Sequence, residues 1–174
     1  MGGAVLGSVL GGIPMAGSDP EDELKAAIVL SFLRYADWPP VPAGADTALT
    51  IGVFGRSAIT QTLRRVLEGK SVANRAIKVL EIRPTEDSRA CQALYVAAAK
   101  PDEIRRALAG VGARALTIGE SERFLDLGGA VNLLIIDGHM SFEVSIETLQ
   151  RSGVTISSTL LRFGQTRDPR KGKP

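Results

Sequence analysis

The sequence predicts an α/β protein: a mostly parallel sheet flanked by helices, with an appended C-terminal antiparallel hairpin. Three observations predict it. Short apolar runs alternate with segments of helical period between residues 49 and 118. A Gly128-Gly129 break precedes a change of style. Beyond it, Asp137-Gly138 separates two apolar stretches, the second with period two, and Asp-Gly at that place is a strong hairpin signal.

The first helix is well marked. Asp19 can cap it and Pro20 suits its first position. Glu21, Asp22 and Glu23 place negative charge at the positive end of the helix dipole. Leu24, Ile28, Phe32 and Tyr35 recur at near-helical spacing and are the expected buried stripe. Pro39, Pro40 and Pro42 forbid continuation, so the helix should stop near Asp37 and Trp38.

Strands are expected at 49–54, 77–82, 93–98 and 115–118. Helices are expected from Ser57 to Gly69 and from Pro101 through Leu108. After the break, residues 130–136 read as a strand, and Met140, Phe142 and Val144 as its antiparallel return. Ser145 can cap a short helix that ends at Gly153. A last helix starts near Ser157 and Ser158 and carries Leu160, Leu161 and Phe163.

A chain of 174 residues fits one domain with a core sufficient to fold unaided. No repeat or low-complexity linker interrupts residues 20–164. The expected organisation is a signal peptide or leader over 1–18, one α/β domain over 19–164, and a disordered basic tail over 165–174. The leader rests on an uncharged run, MGGAVLGSVLGGIPMA, of apolar and small residues. A positive n-region is missing, so the start reads as truncated. The run also falls short of the roughly 20 residues of a spanning helix.

The net charge of +2 gives no basis for nucleic-acid binding. Its local excess is Arg162, Arg167, Arg170, Lys171 and Lys173, read as a solvated terminus. With one cysteine, Cys91, and one histidine, His139, a single chain cannot build a Cys/His zinc site. No cofactor or metal is expected. His139 follows a turn and reads as solvated. No Gly-x-Ser-x-Gly elbow surrounds any serine. Cys91 precedes an apolar run and reads as half-buried, with redox response as its sharper role. The carboxylates Glu120 and Glu122 are placed next to a helix start, where the dipole explains them. Gly52, Gly55, Arg56 and Ser57 lie between a strand and a helix, where a phosphate can bind, but without P-loop spacing.

Several blocks together resemble one family. Tyr35-Ala-Asp-Trp38-Pro39 is similar to an aromatic-x-x-Trp-Pro signature after a first helix. Leu49-Thr-Ile-Gly-Val-Phe-Gly55, Cys91-Gln-Ala-Leu-Tyr-Val96 and Leu116-Thr-Ile-Gly-Glu120 resemble its strands. Gly128-Gly-Ala-Val-Asn-Leu133, Ser141-Phe-Glu-Val144 and Ser152-Gly-Val-Thr-Ile-Ser-Ser158 with Leu160-Leu161 resemble its closing part, in order. The family is YfiR/HmsC, and the likeness covers roughly residues 22–164. Its strands often carry a cysteine where Gly52 stands, the natural bridge partner of the cysteine matching Cys91. The family's Phe-Glu-hydrophobic-Asn ends here in Ser145.

The resemblance implies a periplasmic, non-catalytic repressor that restrains an inner-membrane diguanylate cyclase or related sensor and lowers cyclic di-GMP. Its partner would be the extracytoplasmic domain of that protein, with a homodimer left open. No family motif assigns contact residues. Trp38, Arg56 and Phe163 are the first to test at a partner surface, Trp because it is enriched at interface hot spots. Two other readings stand beside this one: a small-molecule sensor with a pocket near Gly55 and Arg56, and an enzyme using Cys91.

Overall fold

The computed structural model describes residues 17, 19–55, 57–84, 86 and 88–167. The leader, Arg56 and the tail beyond Arg167 lie outside the described residues.

Helix α1 spans Pro20–Tyr35, and the Asp19 carboxylate accepts the Glu21 N–H at 2.9 Å. Its buried face is Ala26, Val29, Leu30, Phe32 and Leu33. This corrects the expected stripe, because Leu24 and Tyr35 are about half exposed, at 48 % and 46 %. The buried face is rotated toward Ala26. The helix also ends earlier than expected. Ala36–Asp37 turns extended as strand β1 and pairs antiparallel with a later strand, β9 (Thr155–Ile156). The Ser157 N–H then donates to the Tyr35 carbonyl at 2.8 Å.

Strands β2 (Leu49–Phe54), β4 (Arg75–Ile82), β5 (Ala93–Val96), β6 (Leu116–Gly119) and β7 (Val131–Ile136) run parallel in the order β4-β2-β5-β6-β7. Short β3 (Ser71–Val72) pairs antiparallel with β4. Helices α2 (Ile59–Leu67) and α3 (Pro101–Gly110) connect strands. The direction of strand addition reverses after β4, so β2 and β5 flank a topological switch point.

The appended hairpin is present. β7 pairs antiparallel with β8 (His139–Ser145), Ile136 facing His139. Asp137 and Gly138 both have positive φ, 50° and 76°, as the tight two-residue turn requires. Helix α4 (Ile146–Ser152) is capped by Ser145, whose hydroxyl accepts the Thr148 N–H, and ends at left-handed Gly153. Helix α5 (Ser158–Leu161) follows. Residues 165–167, expected in the tail, instead form strand β10 (Gln165–Arg167), parallel to β8 at the sheet edge. Arg167 is fixed there by Asp126 at 2.7 Å.

Register sorts the core into two layers. Ile51, Val53, Val79, Tyr95, Ile118, Val131 and Val144 pack with α1, α2 and α5. Phe54, Ile82, Cys91, Leu94 and Val96 pack with α3 and the turns at 121–128. Each buried Val, Leu or Ile contributes about 1.5–3 kcal/mol. Phe32 and Phe142 meet edge to face, their ring centroids 4.9 Å apart.

One buried charge holds the entrance to β2. Arg75 is 9 % exposed and donates to the Thr47 and Ala48 carbonyls, each at 2.9 Å. Arg75→Met keeps the stem but strands both acceptors. It is expected to cost about 1.5–3 kcal/mol in urea unfolding. A loss indistinguishable from zero would show that water replaces the guanidinium there.

Candidate functional site

The residues singled out by sequence fall in different places. Trp38 is half-buried against the larger core layer, and its indole N–H donates to the Leu33 carbonyl at 2.8 Å. It thereby satisfies one of the carbonyls left open at the end of α1 and covers that end. Phe163 is 77 % exposed just after α5. Its neighbour Gly164 lies directly on Phe142: a Cβ there would meet the ring at 2.0 Å. The backbone is thus seated on the core while the Phe163 ring faces out. Tyr35, also exposed, ends α1 at the point where Ser157 ties α1 to the start of α5. Arg56 lies outside the described residues, so its place beside these groups is not part of the geometry.

Cys91 is buried, not half-buried as expected. It sits in the smaller core layer with Ile82 and Leu94. His139 is exposed, and its Nδ1 lies 2.9 Å from the Asp137 carbonyl within the hairpin turn.

Two concavities open at the carboxyl ends of the parallel strands, where ligands of such sheets bind. The first, about 490 Å³, lies at the switch point; its lining includes Phe54, Gly55, Ile82 and Ala97 and the charged Glu81, Arg83 and Glu103. Gly55 has φ 97°, and a Cβ there would stand 3.2 Å from the Ala97 carbonyl oxygen. The chain therefore needs glycine to turn out of β2 at this groove.

The second is larger, about 720 Å³, and sequence reading missed it. β6 pairs with β7 only as far as Gly119 opposite Asn132, whereas β7 continues to Ile136. The hairpin therefore overhangs the sheet and leaves a notch beside β7. The first turn of α1 and the turns at 121–128 close its sides. Glu120 thus stands before a series of turns and Glu122 within it, neither at a helix start, which corrects their expected dipole role.

Lys25 organises this notch. Its ammonium lies 2.7 Å from Glu21 and 2.5 Å from Glu120. Burial pulls its pKa down, but hydrogen bonds to Glu120 and Glu21 outweigh that, so the net direction is up. Burial raises the Asp22 pKa, opposed by Lys25 and reinforced by Asp19 and Glu120. Tyr95, with no exposed surface, has its phenol pKa pushed up by burial and then by the Glu120 charge. Glu120 is near enough for its charge to act on the phenol, but the hydroxyl makes no hydrogen bond of good geometry. The amide oxygen of Asn132, 3 % exposed, likewise has no partner. No sequence motif marks Lys25, Asn132 and Glu143, because only the unequal lengths of β6 and β7 open the notch they line.

Fold and site together define a three-layer α/β protein with clefts at one end of its sheet. The chain belongs to the YfiR/HmsC-like family, which its residues 22–165 match. That family is regulatory, and its members are typically periplasmic. Among curated proteins none matches the chain. No helix among the described residues is long and apolar enough to cross a membrane.

Proposed function

We propose that this chain is a periplasmic repressor that binds the extracytoplasmic domain of an inner-membrane diguanylate cyclase or related sensor and thereby lowers cyclic di-GMP. The family match over residues 22–165 carries the reading. Repression follows if the chain binds the inactive state of the partner more tightly than the active one, since only differential affinity shifts such an equilibrium. In this reading the protein acts through its surface and not by catalysis.

Phe163 is the contact residue we place first. An exposed aromatic ring on an anchored backbone offers large apolar area at low entropic cost. Trp38 is placed second, because its indole N–H is already engaged at the helix end. Deleting the gene is expected to raise cyclic di-GMP, and the wild-type gene to restore it. Phe163→Asp is expected to fold with an unchanged melting point yet fail to restore, with affinity for the partner domain weakened about tenfold or more. Unchanged cyclic di-GMP in the deletion strain would overturn the proposal.

The groove beside Gly55 favours a second reading, a small-molecule sensor. A metabolite that raises the melting point without any partner protein, and whose effect is lost in Ala97→Leu, would favour it.

A further inference from the structure

We infer that the outer edge of β4 pairs with the same edge of a second copy of this chain, antiparallel about a two-fold axis at Leu80. On its inner side β4 is paired with β2 from Ile77 to Ile82. On its outer side β3 reaches only Arg75 and Ala76, and the Lys70 carbonyl then accepts the Ile77 N–H at 3.1 Å. Backbone groups alternate along a strand, so those of Val79 and Glu81 point outward as those of Ile77 do. Among the described residues no strand meets them. The next outward N–H, that of Arg83, donates to the Glu86 carboxylate at 2.9 Å. The N–H and C=O of Val79 and of Glu81 therefore stand open, in a row bounded at both ends. Such edges are normally bulged, covered or guarded by a lysine. Here the register with β2 is unbroken through Ile82, and Lys78 is drawn to Asp46 at 2.9 Å.

The bounded row selects one register. A two-fold axis through the sheet sets each residue opposite one that shares its face. Centred on Val79, the pairing would need the Ile77 N–H, which Lys70 holds. Centred on Glu81, it would need the Arg83 N–H and would set like charges directly opposite each other, which destabilises. Centred on Leu80, Val79 of each copy meets Glu81 of the other, and each such pair exchanges both of its hydrogen bonds. Leu80, 48 % exposed, then packs on Leu80 of the second copy at the closer, non-hydrogen-bonded spacing.

Charge agrees with this register. Val72, Ile77 and Val79 face the larger core layer, and by alternation Lys70 and Glu81 lie on that same face. Glu81 of the second copy, opposite Val79, continues the line of β3 two positions beyond Lys70, within reach of its ammonium. Lys70 and Glu81 are both exposed, and neither has an ion pair among the described residues. A strand of another protein would satisfy the backbone, but only a second copy supplies both the leucine and the glutamate at these places.

The test is analytical ultracentrifugation of the full chain over a range of concentrations. A reversible dimer with a dissociation constant below about 100 μM is expected. Leu80→Lys, Glu81→Lys and Lys70→Glu should each weaken it about tenfold or more, with the melting point of the dilute protein unchanged. Combining Glu81→Lys with Lys70→Glu should restore it. Amide exchange at Val79 and Glu81 should slow as concentration rises. A chain that stays monomeric overturns the inference and leaves the edge to a strand of another protein. So does a dimer that the single charge changes leave intact, which would place the contact on another face.

Discussion

Phe124→Ala is expected to lower stability by about 3–5 kcal/mol, the range for emptying a buried phenylalanine site. For a chain of this size that corresponds to a melting point lower by roughly 6–20 °C. Phe124 has no exposed surface and belongs to the core layer shared with α3. It fits between two glycines: a Cβ on Gly119 would meet its ring at 2.4 Å, and one on Gly129 at 2.1 Å. The ring therefore occupies space that side chains at 119 and 129 would otherwise fill. Its removal leaves a void whose walls are backbone, and backbone collapses less readily than side chains. Gly129→Ala should destabilise for the opposite reason, by forcing the ring from its place. Urea unfolding of both variants, beside Ile135→Ala as an exposed control, checks the pair. A loss below about 1 kcal/mol for Phe124→Ala would mean that the turns at 121–128 are not packed on the sheet as described.

The effect on the notch follows from the same packing. Phe124 pins the turns that bear Glu122 and Asp126 along one side of the cleft.

Elements fixed by local chemistry were legible in the sequence. Asp19 and Pro20 start α1, Asp137-Gly138 turns the hairpin, and Ser145 and Gly153 bound α4, each where backbone preference alone places them. Strand ends were off by one to two residues, and β1, β3, β9 and β10 were missed. Two or three residues hold no period, and such strands exist only because a distant segment offers a partner, as Ile156 does for Ala36. The buried face of α1 was misread because residues 26–33 are nearly all apolar, which blurs any stripe. The structural role of Arg75 was also hidden, since a charged residue opening a strand carries no sign that its guanidinium turns inward. The notch was invisible for a stronger reason: Lys25, Glu120, Asn132 and Glu143 are scattered over much of the chain, and each alone has an ordinary explanation.

Gly52→Cys is expected to reverse sign with redox state. β2 and β5 lie side by side, with Gly52 opposite Leu94, and Cys91 lies just before β5. A Cβ at position 52 would stand 3.0 Å from the Cys91 sulfur. Disulfide geometry, with an S–S bond of about 2.04 Å, puts each Cβ about 3 Å from the far sulfur. The position is therefore shaped for a bridge that this chain lacks, in keeping with the cysteine that resemblance places there in relatives. Closing a loop of roughly 40 residues contributes about 3–4 kcal/mol by the chain-entropy estimate. Against this, the same Cβ would press on Ile82 and Leu94 side-chain carbons at 2.9 and 3.0 Å, and such crowding costs about 1–3 kcal/mol. Oxidised, the variant should be more stable than wild type; reduced, it should be less stable, because only the crowding remains. Melting curves with and without dithiothreitol, together with the loss of two hydrogens in the intact mass, check both halves. Two titratable thiols persisting after treatment with oxidised glutathione would show that β2 and the segment before β5 do not approach as described.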